Sequence, residues 1–148
     1  MTRTRRPAIS PRERCICHEL RKLTRLVTSH YDRALAPSRL KITQFSLLAQ
    51  VDAVGAISVA ELAQLMASDD TTVLRAVNGL VRHKLVEVDV GADKRERVVA
   101  LTPKGRAAIR GAFSHWQRAQ QTFRDAVGIQ SVKSLLRAIK RTMAAVDA

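Results

Sequence analysis

The sequence predicts a mainly α chain with one small β-hairpin wing, set between long helices at either end. Three observations carry this. Apolar residues recur every three or four positions over most of the chain, the period of one helix face. Between residues 86 and 101 that period gives way to alternation, with Val86, Val88 and Val90 against Glu87 and Asp89, as in a half-buried strand. Just upstream, two short helices are each announced by a capping residue: Ser58, with Glu61 three places on, and Asp69. Helix, helix, strand, tip and strand in that order make a winged helix-turn-helix. In that arrangement a short helix can enter the DNA major groove while the hairpin reaches the neighbouring minor groove.

Each element has its own signal. Ser10-Pro11-Arg12-Glu13 predicts the start of the first long helix, with Ser10 as N-cap, Pro11 at the first helical position and Glu13 closing a capping box. Ile16, Leu20, Leu23, Val27, Tyr31 and Ala34 form its apolar stripe, and Pro37 ends it. Thr43 is the expected cap of the second helix, whose Phe45, Leu48, Val51 and Val54 run to a stop at Gly55. The third helix, from Ser58, carries Leu62, Leu65 and Met66. The fourth, from Asp69, should bury Val73, Val77, Leu80 and Val81. Gly91 to Glu96 forms the hairpin tip, and Val99 and Leu101 alternate on the return strand. Thr102-Pro103 opens a long fifth helix striped by Ile109, Phe113, Trp116, Gln120 and Phe123, and Gly128 breaks it. Val132, Leu136, Ile139, Met143 and Val146 line the last helix.

The expected organisation is a disordered basic arm over 1–9, dimerisation helices over 10–36 and 103–148, and a winged helix-turn-helix DNA-binding domain over 40–102. No sheet covers the first, fifth and sixth helices, so their stripes are expected to be buried against a second copy. A monomeric helical core around the winged module is the plainer alternative.

Composition narrows the function. The 148 residues carry 26 Lys plus Arg against 13 Asp plus Glu, a net +13, which suits a polyanion or an anionic membrane surface. The surplus is uneven. Residues 1–33 hold nine basic and three acidic residues, 34–101 hold eight of each, and 102–148 hold nine against two. The DNA-reading module is therefore neutral, and its few cations must be well placed. No apolar run approaches the roughly 20 residues of a membrane span. The basic start lacks the apolar stretch of a secretory signal, and two cysteines do not make a disulfide scaffold, so a reducing cytoplasm is expected. There is no Gly-rich phosphate loop, no His-Glu-x-x-His and no nucleophile elbow, so no enzyme and no cofactor are expected. No metal is expected either: Cys15, Cys17 and His18 on one helix would point around the cylinder, not to a shared centre.

Asp93-x-Arg95 at the tip, Leu101-Thr102-x-x-Gly105 after it, Leu62-Ala63 and Thr71-Thr72-Val73-x-Arg75 before it form an ordered set. This set resembles the MarR (multiple antibiotic resistance regulator) family. Tyr31-Asp32-Arg33-Ala34-Leu35 and Thr43-Gln44-Phe45-Ser46-Leu47-Leu48 are similar to that family's first two helices, and the resemblance covers about residues 12–146. It implies a cytoplasmic homodimer that binds a pseudo-palindromic operator in double-stranded DNA, usually as a repressor. The helix from about Asp69 to Lys84 is then the recognition helix, with Thr71, Thr72, Arg75 and Asn78 facing base edges and phosphates. In the wing, Arg95 would enter the minor groove with Asp93 holding its guanidinium, while Lys94 and Arg97 contact phosphates. Lys104 and Arg106 are secondary phosphate candidates. The plainer readings are that both threonines cap their helix and that the charged tip is an ordinary solvated hairpin.

Two positions depart from the family pattern. Ala67 stands in the turn between the third and fourth helices, where glycine is common. Asp70 opens the recognition helix, where its carboxylate suits the helix dipole but repels phosphate.

The resemblance also implies a switch: a small ligand between the dimerising helices and the winged module, or an oxidant sensed by cysteine. His30, Tyr31, Phe45, Phe113 and Trp116 are the ligand candidates, against the plainer reading of a satisfied interior histidine and ordinary core aromatics. Cys15 and Cys17 are the redox candidates. Two apart on a helix, they project about 200° from each other, so a bond between them conflicts with an intact helix, whereas pairing across a dimer does not. Buried packing is the plainer role for both. Two readings stay open: a ligand- or redox-responsive repressor, and a non-specific architectural protein that coats DNA.

Overall fold

The computed structural model describes residues 15–93 and 95–146. The expected basic arm, the Ser10 capping box and the Lys94 side chain lie outside them. The order is α1 (Ile16–Leu35), a single 3-10 turn (Ala36–Ser38), α2 (Ile42–Val54), β1 (Ala56–Ser58), α3 (Val59–Leu65), α4 (Asp70–Arg82), β2 (Val86–Val90), β3 (Arg97–Leu101), α5 (Pro103–Val127) and α6 (Ile129–Val146). The mainly helical winged fold expected from the sequence is present.

Helix ends explain most of the boundaries. Ser58 Oγ accepts from the Glu61 amide at 3.2 Å, and Glu61 Oε2 accepts from the Ser58 amide at 3.1 Å, a reciprocal capping box. Asp69 Oδ1 accepts from the Thr72 amide at 2.8 Å and so caps α4. Thr102 Oγ1 accepts from the Gly105 amide at 3.0 Å to open α5, with Pro103 in its first turn. Gly55 and Gly128 stop α2 and α5 with φ of 98° and 86°.

Some boundaries differ from the sequence expectation. α2 begins one residue before Thr43, because its first amides are met from two sides: Gln44 Oε1 accepts from the Lys41 amide at 3.0 Å, and Asp32 Oδ1 in α1 accepts from the Ile42 amide at 2.7 Å. Asp32 Oδ2 also pairs with Lys41 Nζ at 3.4 Å, fixing the two helices at their junction. α1 starts at Ile16, and Cys15 is extended at its N-cap with no side-chain cap. The third strand, β1, was not expected. It has three residues, too few for alternation to show, and pairs antiparallel to β3 in the order β1-β3-β2. Val99 lies opposite Ile57 on one side and Val88 on the other.

The core sits in the winged module. Leu35, Leu48, Val51, Leu62, Val77, Leu80, Val99 and Leu101 are fully buried, and Ile109 and Ala112 of α5 pack onto them. Leu47 is buried as well, because α2 lies against α1, α5 and the sheet and so has more than one inner side. Val54, Leu65 and Val81, expected inside, are exposed. Val81 fails because the inner arc of α4 is centred on Val73, Val77 and Leu80, and one further residue rotates by about 100° out of it.

Both short helices end in the same reversal. The Ser68 amide reaches Ala63 O at 2.9 Å and the Ala67 amide reaches Gln64 O at 3.1 Å, and Leu85 and Lys84 repeat the pattern onto Leu80 and Val81 at 3.0 and 2.8 Å. The residue that turns is left-handed, with φ of 46° at Ala67 and 58° at Lys84. The turn at Ala67 therefore keeps the geometry that suits glycine, at the expense of the side chain's steric strain. Ala67→Gly is expected to raise unfolding stability by about 1 kcal/mol in urea titration with the m-value unchanged.

Candidate nucleic-acid interface

The hairpin tip and the start of α4 face each other across a groove of about 450 Å³. Ser58, Val59 and Ala60 form its floor, Asp70, Thr71 and Leu74 one wall, and Asp93, Arg95, Glu96 and Arg97 the other. Residues more than twenty apart in sequence thus converge, because β3 runs between β1 and β2 and swings the tip alongside the start of α3. The chemistry is mixed. Two guanidinium groups and three carboxylates border the groove, with Val59 and Leu74 supplying apolar surface.

The predicted contact residues divide. Thr71 lines the groove together with Arg95 and Arg97. Thr72 is exposed, but its hydroxyl donates to Asp69 Oδ2 at 2.7 Å and its amide to Asp69 Oδ1, so the side chain is part of the cap. Arg75, one turn further along the same face of α4, lines a separate cleft of about 260 Å³ shared with Thr43, Gln44 and Leu47 of α2. Sequence reasoning did not single out Thr43 and Gln44 here, because only the packing of α2 beside α4 brings them to Arg75. Asn78 is exposed on the same helix.

Asp93 engages the backbone of the tip. Its Oδ1 accepts from the Arg95 amide at 2.9 Å, and its carbonyl accepts from the Glu96 amide at 2.8 Å. The expected grip on the Arg95 guanidinium is absent among the described residues, since a carboxylate two places upstream reaches the amide first. Asp93 therefore shapes the turn that carries Arg95. Lys104 is tied back as well, its Nζ donating to His83 O at 2.9 Å at the end of α4.

The ligand candidates form two packed clusters. His30 Nε2 lies 2.9 Å from Ala119 O and 3.3 Å from Thr122 Oγ1, and its ring stands edge-on to Tyr31 and beside Phe123. Burial pushes the Tyr31 phenol above its ordinary pKa, with the Arg124 charge pulling it back. Phe45 and Phe113 each stack on Trp116, with centroids 5.9 and 5.6 Å apart. A roomier space, about 880 Å³, lies elsewhere, between Leu20 of α1, Met143 and Val146 of α6, and the α3–α4 turn at Ala67 to Asp69. Cys15 and Cys17 are both exposed thiols in the single chain. With Cys15 off the helix, the 200° separation expected for two helical cysteines does not apply to it. Among the described residues no group of three or more His, Cys, Asp or Glu could hold a metal ion, and no helix is long and apolar enough to cross a membrane.

Hydrogen bonds from the Thr72 hydroxyl and amide hold the Asp69 carboxyl below its ordinary range, and Ser58 does the same for Glu61. The stability these carboxylates add is complete at neutral pH and is lost as the pH falls through their lowered values. Asparagine caps equally well and does not titrate. Asp69→Asn should therefore keep the Thr72 amide protected as the pH falls through and below the lowered Asp69 value, where the unsubstituted chain loses that protection; amide exchange read by NMR checks this.

A profile of the MarR family matches residues 40–96. Among solved structures, the chain is similar to the Mycobacterium tuberculosis transcriptional regulator MosR in complex with DNA, at 34% identity over 89% of this chain and 98% of that one, with a TM-score of 0.78. A cysteine-to-serine variant of Escherichia coli MarR with operator DNA matches at 21% identity, over 86% of this chain and 92% of that one, TM-score 0.78. Bordetella bronchiseptica BpsR, described with regulation of its DNA binding by 6-hydroxynicotinic acid, matches at 21% identity over 93% and 98%, TM-score 0.79. Among curated proteins none matches the chain.

Proposed function

The chain belongs to the MarR family, and from that premise we propose that it is a cytoplasmic, homodimeric, sequence-specific DNA-binding regulator that represses transcription from a pseudo-palindromic operator. The observation that carries the reading is the groove where Thr71 of α4 and Arg95 and Arg97 of the wing converge on one side of the module. In this reading α4 lies in the major groove. Thr71, Arg75 and Asn78 meet bases and phosphates there, with Thr72 holding the helix cap beside them. Arg95 enters the minor groove, presented by the Asp93 turn, and Lys94 and Arg97 sit against phosphates. MosR, the 34% identical relative, is itself seen with DNA.

Dimerisation is supported by the outer helices. Leu20 of α1 and Leu136, Met143 and Val146 of α6 are exposed in one chain, which is a large apolar surface for a monomer to leave open. Residues 10–36 and 103–148 are accordingly assigned to the dimer and 40–102 to DNA.

Release from the operator takes one of two routes. A small ligand fits the 880 Å³ space behind the α3–α4 turn, where it would press on the element that carries the Asp69 cap. BpsR and the p-coumaroyl-CoA-bound CouR of Rhodococcus jostii are small-molecule-binding structures of the same fold. Oxidation is favoured by a different observation, the two exposed thiols at the start of α1.

The test is a titration onto duplex DNA from upstream of the chain's own gene, against scrambled DNA, with the protein reduced and then oxidised. Saturable preference for the upstream duplex establishes the regulator. Equal binding to both duplexes favours the architectural reading. Arg75→Ala should cost about 1–3 kcal/mol and relax discrimination at one position in each half-site. Arg95→Ala should weaken binding and lower the log–log salt slope by about 1, and an unchanged affinity would refute the wing assignment. Oxidation should abolish the preference in the unsubstituted chain but not in a Cys15→Ser/Cys17→Ser variant.

A further inference from the structure

The charge surplus does not lie where the reading head is. Residues 34–101 carry eight cations and eight anions, whereas 102–148 carry nine cations against two anions. Helices α5 and α6 each contribute +4, but only α6 does so with no Asp or Glu at all, between Ile129 and Val146. Its four cations, Lys133, Arg137, Lys140 and Arg141, fall within about 100° of one face at 3.6 residues per turn. All four are exposed, and among the described residues the one ion pair is Lys41 with Asp32, so none of them has an acidic partner among those residues. Arg137 donates only to Ser134 Oγ, at 3.1 Å. The apolar stripe of α6, from Val132 through Leu136 and Met143, lies on another side of the helix. Four like charges in a row repel one another, which disfavours the folded chain unless a polyanion meets them.

We propose that this face of α6 is a second, sequence-independent DNA surface that holds phosphates of a duplex segment beyond the one read by α4 and the wing. The inference rests on the DNA-binding reading given above. The spacing fits. Lys133 to Arg141 rises about 12 Å along the helix, and one strand of duplex presents a phosphate about every 3.4 Å of axis, so four cations meet three or four phosphates. Gln130 shares the face with its cations, but ion pairing with phosphate, which the four charges supply, carries no sequence information. The two surfaces therefore divide the work: a neutral head discriminates, and a charged helix supplies counterion-release affinity. The second segment is either the flank of the same duplex or a second duplex.

The experiment compares the full chain with a Lys133→Gln/Arg137→Gln/Lys140→Gln/Arg141→Gln variant. Glutamine keeps helix propensity, and helicity and mass in solution check that the variant folds and assembles as before. Binding is measured from 50 to 200 mM salt on an operator-length duplex, on a duplex extended at both flanks, and by capture of a labelled second duplex. The variant should keep its preference for operator over scrambled sequence. On the extended duplex or in second-duplex capture, it should lose about 3 to 4 units of log–log salt slope. The affinity gap to the unsubstituted chain should then close by about a hundredfold across that salt range. A gap on the extended duplex assigns the flank, and one in capture assigns a second duplex. Lys133→Arg/Lys140→Arg should retain the full slope. An unchanged slope in both formats overturns the proposal, as does binding to phosphatidylserine vesicles that the variant loses while its DNA slope stays. If the unsubstituted chain binds no duplex at all, the DNA-binding reading itself falls.

Discussion

One junction holds the DNA-facing parts in register: the meeting of the start of α5 with the turn between α4 and β2. Thr102 Oγ1 accepts from the Gly105 amide and donates to Lys84 O at 2.7 Å, and the Thr102 amide donates to Leu85 O at 3.1 Å. A Cβ on residue 105 would stand 1.9 Å from Leu85 O, so only glycine permits the approach. Lys104 adds a bond to His83 O. The last turn of α4, the base of the β2–β3 hairpin and the first turn of a 25-residue helix are thereby fixed together.

The caps do for the other end of α4 what this junction does for its C-terminus. Asp69 organises the first turn through Thr72 and so ties up that threonine's hydroxyl, while Thr71 and Arg75, one turn apart on the same face, line different clefts. The wing follows the same logic, because Asp93 spends its carboxylate on the Arg95 amide and so sets the direction in which Arg95 leaves the turn. Local hydrogen bonds to the backbone outcompete the longer-range pairings that composition alone suggests. The net charge is handled differently. Residues 34–101 are balanced in charge, and the excess lies in the segments before and after them.

Much of the fold was legible because its signals are local. The capping box at Ser58, the cap at Asp69 and the Thr102-Pro103-Lys104-Gly105 start each specify a helix within four residues. The alternation of Val86, Val88 and Val90 likewise specifies a strand. Less legible were features whose cause lies elsewhere in the chain. The first amide of α2 is met by Asp32 from another helix. β1 is too short to show a period and exists because β3 offers it an edge. Leu47 is inside because α2 is enclosed on more than one side, and Val81 is outside because the inner arc of α4 is narrower than the apolar run.

The contact residues follow the same division. Thr71, Arg75, Asn78, Arg95 and Arg97 were nameable from motif and helix phase, since each depends on which face of its own element it occupies. Which of them share a groove was not, and neither was the placing of Thr43 and Gln44 beside Arg75. The sequence by itself determined the helices, the hairpin, their order and the uneven charge, because caps, periodicity and composition act over a few residues. Only the tertiary structure decided the third strand, the shared groove, the packed aromatics around Trp116 and the exposure of both cysteines. Each of these depends on surfaces brought together from distant parts of the chain, whose meeting is set by the packing of the whole core.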